Sequence, residues 1–357
     1  MIRKTQNVLT LLVLTILLCS WGGTGHYIIS YNAPNYFPAS MSGFNVWADS
    51  LADHASDADN RKSSDNTEGP KHYIDIDMYS EFNSTGKIAS TYDSIVNIYG
   101  LYFVTNNGTL PWATKNTYDS LKLAFQNKNW HKAVLFASDL GHYVADGHMP
   151  LHLTQYYDGE TYSQKGIHSR YESSMVSKYQ SYLKNYSGYS PPAVTTVSNV
   201  NLYVLKYIYN NYKYVDSVFI ADDYAQTLDS YFSTTYYSTL WDKTQFTKTL
   251  FRNASHTLAE LIYSAWVEAG SPPYGSTPVK QVKTIQLTIY PNPTNGVVSI
   301  QTDNKIAKAE IYSLDGKLQA VFAENHFDVG FLSDGVYVLS IYGKDGWVAK
   351  EKLMVKK

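Results

Sequence analysis

The sequence predicts a mainly α-helical bundle followed by a small C-terminal antiparallel β-sandwich. From about Met41 to Gly270 the apolar residues recur at helical spacing, and strand-like alternation is scarce. After Thr284 the pattern changes to short β-rich runs separated by Asn-Gly and Asp-Gly turns. The stretch GSPPYGSTP between these regions is rich in proline, glycine and serine, which predicts a linker.

The chain begins with a segment that is typical of a secretory signal peptide. A basic start precedes an apolar run, 8–18, that is too short to span a bilayer comfortably. Cleavage after Ser20 would make Trp21 the first residue of the mature protein. The single cysteine, Cys19, lies in this leader, so the mature protein has no disulfide and no thiol. Lipid attachment at Cys19 is the alternative, and it would leave Trp21 internal.

Two stretches illustrate the helical periodicity. In NASHTLAELIYSAWVEAG the apolar residues share one face, and Gly270 ends the run. The stretch WHKAVLFASDLGHYVADGHMP is predicted to be a helix that Pro150 terminates. The net charge of −2 gives no electrostatic case for a strong binder of duplex DNA or for a polybasic membrane anchor.

Histidines and carboxylates occur at metal-ligand spacings within the helical region. His142 and Asp146 are four residues apart, so both project from one helical face. His168 and Glu172 repeat this spacing on a second predicted helix, and His152 follows the break at Pro150. Upstream segments add further candidate ligands, namely His72, Asp57 and Asp59. Imidazole and carboxylate are the ligands of catalytic zinc, so the pattern indicates a cluster of metal ions.

The order of these residues resembles the zinc-dependent phospholipase C/nuclease superfamily, which includes bacterial phospholipases C and the single-strand-specific S-one/P-one type nucleases. The resemblance spans nearly all of residues 21–270. It implies a helical bundle of that type, with three zinc ions, that hydrolyses phosphate esters through attack by a metal-bound hydroxide.

The resemblance also implies which residues bind each zinc ion. The ligands of the first ion would be Asp57, His72, His142 and Asp146. The ligands of the second ion would be His152, His168 and Glu172. The ligands of the third ion would be the α-amine and carbonyl of Trp21, together with His26 and the bridging carboxylate of Asp146. Asp57 would also accept a proton from the attacking water. Its separation from His72 is closer to that of the family, but the DAD repeat leaves Asp59 open as the ligand.

The other histidines match no ligand position. His148 lies between ligands but off the face of His142 and Asp146, so we interpret it as a bystander or as a neighbour of a ligand. The remaining histidines are interpreted as surface or packing residues: His54, His131, His256 and His326.

The substrate is indicated less directly. Glu172 in place of aspartate, the short loop between His152 and His168, and the absence of disulfides favour phospholipase C-type activity on phospholipids. The alternative is a single-strand-specific nuclease, which is favoured by His26 lying five residues after Trp21 and by the segment HYID. A second alternative is a non-catalytic surface-binding protein whose zinc sites are structural or degenerate. No stable protein partner is implied for this domain.

Residues 285–357 resemble the C-terminal sorting domain of the type IX secretion system of Bacteroidota. The matching motifs are YPNPTNG, LDGK and GVYVLSI followed by a basic end. The resemblance implies contact with the secretion machinery and a secreted or cell-surface protein whose tail is cleaved or exchanged for an anchor. The predicted domains are therefore a signal peptide (1–20), a catalytic domain (21–270), a linker (271–284) and a sorting domain (285–357).

Overall fold

A computed structural model describes residues 22–187, 189–275, 287–314, 317–344 and 347–357. The chain divides into two compact units, Met1–Thr277 and Pro278–Lys357. The described part of the first unit is mainly helical and that of the second consists of antiparallel strands, so the predicted fold class is confirmed. The predicted signal peptide and Trp21 lie outside the described residues, as does most of the predicted linker.

Helix boundaries in the first unit follow local capping chemistry. Two of the long helices begin at a proline or at a capping side chain: Pro111 lies in the first turn of one helix, and the Asn129 side chain accepts a hydrogen bond from the Lys132 amide at the start of the next. The described helices are α1 (Gly22–Asn32), α2 (Ala48–Asp53), α3 (Asp57–Arg61), α4 (Ser80–Thr85), α5 (Tyr92–Tyr99), α6 (Leu101–Asn106), α7 (Leu110–Gln126), α8 (Trp130–Asp146), α9 (Ile167–Ser169), α10 (Val176–Lys178), α11 (Gln180–Leu183), α12 (Val200–Tyr212), α13 (Val215–Leu228), α14 (Thr234–Lys243) and α15 (Phe246–Glu268).

Short segments of other helical types join these elements. A π-helix, Arg170–Met175, lies between α9 and α10 and makes a continuous helical segment with them. The short 3-10 helices are Ala33–Tyr36, Ala39–Trp47, Gly69–His72, Ile76–Met78, Pro150–His152 and Tyr162–Gln164.

The core of the first unit surrounds α8. This helix packs against α1, α7 and α15, and most residues of its second half are buried, from Ala137 to Asp146. Large apolar side chains such as Phe44, Phe125 and Phe251 fill the space between the helices. Since the buried half of α8 carries His142 and Asp146, the packing places both side chains inside the bundle. None of the described helices is long and apolar enough to cross a membrane.

The C-terminal unit contains two antiparallel sheets. One sheet has the order β1 (Thr288–Tyr290), β2 (Val297–Gln301), β5 (His326–Asp328). The other has the order β4 (Leu318–Phe322), β3 (Ile306–Ser313), β6 (Gly335–Gly343), β7 (Val348–Val355). The register of β6 with β7 runs from Gly335 opposite Val355 to Tyr342 opposite Val348. Inward-facing residues of both sheets share one apolar core, as a sandwich requires: Val298, Ile300, Ile311, Leu339 and Leu353.

Candidate metal centre

The carboxylate of Asp146 lies at the centre of a cluster of histidines. Its Oδ2 atom is 3.0 Å from Nδ1 of His72 and 3.3 Å from Nε2 of His142. Its Oδ1 atom is 3.5 Å from Nε2 of His26 and 3.6 Å from Nδ1 of His152. Asp146 is completely buried, so these rings surround a carboxylate that has no access to solvent.

Asp59, His72 and His142 form the first group whose ligand atoms converge. Asp59 Oδ1 is 3.6 Å from His72 Nδ1 and 3.7 Å from His142 Nε2. The two ring nitrogens are 2.9 Å apart. All three ligand atoms lie within 4.8 Å of one another, which is the spacing expected around a single ion.

Asp57, the carboxylate preferred from the sequence, lies elsewhere. Its Oδ2 atom is 2.7 Å from Nδ1 of His54, and the two side chains are 42% and 44% exposed. Asp57 and Asp59 are two residues apart on α3, so their side chains point to different sides of the helix. The structure therefore brings the alternative, Asp59, to the cluster and leaves Asp57 outside it.

His26 joins the cluster from α1. Its ring stacks on that of His142, with ring centroids 3.9 Å apart and the two planes 6° apart. His26, His142 and Asp146 make a second group with ligand atoms within 4.8 Å. Burial lowers the pKa of His26 well below its ordinary value, which favours the neutral imidazole that a metal requires.

His152, His168 and Glu172 form a third buried group. Glu172 Oε2 is 2.7 Å from Nε2 of His168 and 3.3 Å from Nε2 of His152. His168 lies on α9, Glu172 lies on the π-helix, and His152 ends the 3-10 helix that follows α8. The amide of Gly22 donates a hydrogen bond of 3.2 Å to Glu172 Oε1, so the residue after Trp21 contacts this group.

Main-chain hydrogen bonds determine the tautomers of these rings. In three of the histidines Nδ1 faces a carbonyl oxygen: His142 faces Ala55 (2.7 Å), His152 faces His72 (2.6 Å) and His168 faces Tyr157 (3.3 Å). Such a nitrogen carries the hydrogen and donates it, so Nε2 presents a lone pair. In the neutral ring these Nε2 lone pairs point at carboxylate oxygens, so a proton or a metal ion must lie between the two atoms for the contact to be favourable. Imidazole nitrogens paired with carboxylates are the donor set of zinc, and backbone carbonyls are frequent partners of zinc-binding histidines.

In the metal-free protein the same contacts shift several pKa values. Burial alone would lower the pKa of His152, but the carboxylates of Asp146 and Glu172 raise it to about 9. The pKa of His142 is also raised, because the carboxylate of Asp146 outweighs burial. Burial would raise the pKa of Asp146, but His142 and His152 hold it well below its usual range. The carboxylates thus stay ionised and attract positive charge, whether protons or metal ions.

Sequence analysis missed one carboxylate beside the cluster, that of Glu68. Its side chain is 1% exposed, and Oε1 is 3.5 Å from Nε2 of His72. The contacts of Glu68 with His72, Lys71 and Tyr143 outweigh burial and hold its pKa well below the usual range. Glu68 and His72 are four residues apart, but Pro70 lies between them on a 3-10 turn, so helical spacing does not signal the contact.

The remaining histidines lie outside these groups. His148 is buried, with Nδ1 2.7 Å from the carbonyl of Val144 and its ring stacked on that of Tyr207. Among the described residues, none of the three ligand groups includes the other histidines, namely His54, His131, His256 and His326.

Residues 288–356 match the family described as the secretion system C-terminal sorting domain. The predicted type IX sorting domain is confirmed by this match. It indicates that the protein is secreted or attached to the cell surface, as the sequence predicted, and it implies an interaction with the secretion machinery.

Solved structures that are similar to most of this chain include two clostridial toxins. The alpha toxin from Clostridium absonum is 13% identical, with a TM-score of 0.46 over 95% of this chain and 84% of the toxin. The alpha-toxin of an avian strain of Clostridium perfringens is 10% identical, with a TM-score of 0.47 over 94% of this chain and 96% of the toxin. No curated protein matches the sequence.

Proposed function

We propose that the protein is a secreted zinc-dependent phosphoric ester hydrolase of the phospholipase C type. The observation that carries the proposal is the convergence of three ligand groups, in which every residue except Asp59 is buried and two of which share His142. In these groups Nε2 atoms face ionised carboxylates, an arrangement that is favourable only with a proton or a metal ion between the two atoms. A single structural zinc site would need only one such group.

We assign the ligands with one change from the set implied by the resemblance. The first ion is held by Asp59, His72, His142 and Asp146. The second is held by His152, His168 and Glu172. The third is held by His26, Asp146 and the free amine and carbonyl of Trp21. Trp21 lies outside the described residues, and the hydrogen bond of the next residue, Gly22, to Glu172 brings the start of α1 to the cluster as a whole. Bound zinc ions supply Lewis acidity, which neutralises phosphate oxygens and lowers the pKa of a water molecule.

The residues of this chain have distinct parts in the reaction. Asp59 is the most exposed carboxylate of the cluster, with its side chain 10% exposed, whereas Asp146 and Glu172 are fully buried. Asp59 is therefore the carboxylate that a water molecule attacking from the solvent side reaches, and we assign it the proton-accepting role expected of Asp57. Lys62 Nζ lies 2.7 Å from Asp59 Oδ1, so a cation already contacts this carboxylate on α3.

The choice of phospholipid as substrate rests on Glu172. This residue contacts both histidines of its group, at the position where the sequence resembles the bacterial phospholipases. A second candidate function, cleavage of single-stranded nucleic acid, is favoured by His26, whose nuclease-like spacing places its ring against His142. Tyr157, 47% exposed and 5.8 Å from the ring of His168, suits either substrate, since an aromatic ring binds a choline cation or stacks on a base.

A paired assay tests the proposal on mature protein that begins at Trp21. Zinc is counted by elemental analysis, and the protein is then offered phosphatidylcholine vesicles or single-stranded DNA, each with and without a chelator. Chelator-sensitive release of diacylglycerol, with about three zinc ions per chain, is the expected result. Release of nucleotides instead would make the protein a nuclease. Bound zinc without turnover of these substrates or of a p-nitrophenyl phosphodiester would favour a binding protein, and absence of bound zinc would overturn the metal centre.

A further inference from the structure

Glu68 occupies the space behind His72, on the side away from the other ligands. Nδ1 of His72 faces the cluster, 3.0 Å from Asp146 Oδ2, while Nε2 faces Glu68 Oε1 at 3.5 Å. This buried Nε2 makes no hydrogen bond with the described residues, and the Glu68 carboxylate at 3.5 Å is the charged group that it faces. To bind an ion through Nδ1 the ring must carry its hydrogen on Nε2, and a buried N–H needs an acceptor. Glu68 supplies it.

The carboxylate of Glu68 is itself held by three elements that carry ligands. Lys71 Nζ lies 2.8 Å from Oε2, and Lys71 directly precedes His72. Arg61 Nη2 lies 3.5 Å from Oε1, and Arg61 is on α3 together with Asp59.

The third contact comes from α8. The hydroxyl of Tyr143, the residue after His142, donates a short hydrogen bond to Glu68 Oε1. Each side chain that fixes Glu68 is thus within two residues of a ligand of the first ion. Glu68 is positioned to set the spacing of α3, the 3-10 turn and α8 as well as the orientation of one ring.

We propose that Glu68 is the positioning residue of the first metal group: it fixes the Nε2–H tautomer of His72 and joins the three elements that carry its ligands. This inference rests on the proposed metal centre. It predicts a selective defect, because Glu68 contacts neither His152, His168 nor Glu172. Loss of a hydrogen-bond partner behind a metal-bound histidine typically costs 10–100-fold in metal affinity.

The test is the substitution Glu68→Gln in mature, full-length protein that begins at Trp21. Zinc content is measured by elemental analysis at a series of buffered free Zn²⁺ concentrations, and the visible spectrum of the Co²⁺-loaded protein reports ligand geometry. We expect one ion to bind about 10–100-fold more weakly, with the others unchanged and with an altered Co²⁺ spectrum.

Glu260→Gln is the matched control. Glu260 is also buried, and it accepts hydrogen bonds from the Tyr203 hydroxyl and from Thr195 Oγ1, but it contacts no candidate ligand of the cluster. If Glu68→Gln does not fold, Tyr143→Phe leaves the carboxylate in place and removes one of its supports. We expect a smaller loss of affinity for the same ion.

The outcomes separate this inference from the function on which it rests. Wild-type protein without bound metal would overturn both. Normal zinc binding by wild-type protein and by Glu68→Gln would overturn only the role of Glu68. Equal loss in Glu68→Gln and Glu260→Gln would also overturn it, because the effect would then reflect any buried glutamate. If Glu68→Gln does not fold, unchanged zinc affinity in Tyr143→Phe would overturn the role of Glu68.

Discussion

Asp59 Oδ1 lies 3.6 Å from Nδ1 of His72, on the side of α3 that faces the buried cluster. Asp57, on the same short helix, instead contacts His54 at the surface. Two residues on a helix are separated by about 200° around its axis, so only one of the two carboxylates can face the metal centre. Which aspartate binds the metal therefore depends on which side of α3 packs against the cluster.

The two aspartates give a matched pair of variants. We expect Asp59→Asn to reduce zinc content by about one ion per chain and to lower hydrolysis of a soluble phosphodiester by about 100-fold or more, because a ligand and a proton acceptor are lost together. Asp57→Asn should change neither by more than about two-fold. Elemental analysis and steady-state rates measure both. A larger defect in Asp57→Asn would return the ligand role to Asp57.

Sequence reasoning succeeded where the contact is local. The pairs His142–Asp146 and His168–Glu172 could be predicted because a four-residue spacing puts two side chains on one face of a helix. The choice between Asp57 and Asp59 depends on how α3 packs, which spacing along the chain does not encode. Glu68 escaped prediction because its contact with His72 is made across a 3-10 turn and its other partners come from separate elements.

The fold likewise has features that local sequence patterns predict and features that they do not. Helical periodicity and the change to short β-rich runs identify the two units, because each pattern reflects which side of an element is buried. The π-helix at Arg170–Met175 has no such signal. Its hydrogen bonds span five residues, and the apolar pattern of a single turn does not distinguish it from an α-helix.

The pH dependence of stability should differ between the metal-free and metal-loaded proteins. His152 has a pKa of about 9 in the folded metal-free protein, above the ordinary value of about 6.5. The contribution of protonated His152 to the free energy of unfolding is therefore fully present below about pH 6.5 and is lost as the pH rises through 9. The raised pKa of His142 acts in the same direction, whereas the lowered pKa values of Asp146 and Glu172 act only at acidic pH.

We accordingly expect the chelator-treated protein to lose stability between pH 7 and pH 9, by an amount on the order of 3 kcal/mol. The zinc-loaded protein should stay constant or gain stability over that range, because the metal replaces the protons and competes better as they become scarce. Thermal unfolding in EDTA and in zinc, at matched pH values, measures the difference. Parallel curves for the two forms would contradict the assignment of these histidines as ligands.

The N-terminus provides a test that changes no side chain. One additional residue before Trp21 converts its α-amine to an amide, which binds zinc poorly, while the hydrogen bond between Gly22 and Glu172 can still form. We expect the extended protein to bind about one zinc ion fewer and to turn over a soluble phosphodiester at least about 10-fold more slowly. The control carries the additional residue after Lys357. Equal zinc content and turnover in the two extended proteins would remove Trp21 from the ligand set.

Removal of Pro278–Lys357 should separate export from catalysis. The helical unit and the C-terminal unit have separate apolar cores, so the first does not need the second in order to fold. We expect the truncated protein to keep its zinc content and its rate per molecule while remaining inside a producing cell that has the type IX machinery. Activity in the medium and in the cell fraction measures the distribution. Normal export of the truncated protein would show that the sorting signal lies elsewhere.

Arg170 anchors the π-helix that carries Glu172. Its guanidinium is buried and lies 3.0 Å and 3.1 Å from the two carboxylate oxygens of Asp222, and it donates to the carbonyl oxygens of Gln164 and Lys165. These contacts anchor the first residue of the π-helix, two residues before Glu172. Removing one partner of a buried ion pair leaves the other charge without compensation, so Arg170→Met should lower the free energy of unfolding by about 3–5 kcal/mol.

The double variant Arg170→Met/Asp222→Leu distinguishes the charge from the anchor. Replacing both partners with apolar residues removes the unpaired charge, so we expect much of the stability to return. Zinc affinity of the His152–His168–Glu172 group should be reduced in the single and in the double variant alike, because the carbonyls of Gln164 and Lys165 are no longer held against the π-helix. Urea unfolding and zinc titration measure the two effects, with the exposed Lys213→Met as control. Recovery of both stability and zinc affinity in the double variant would show that Arg170 serves only to neutralise Asp222.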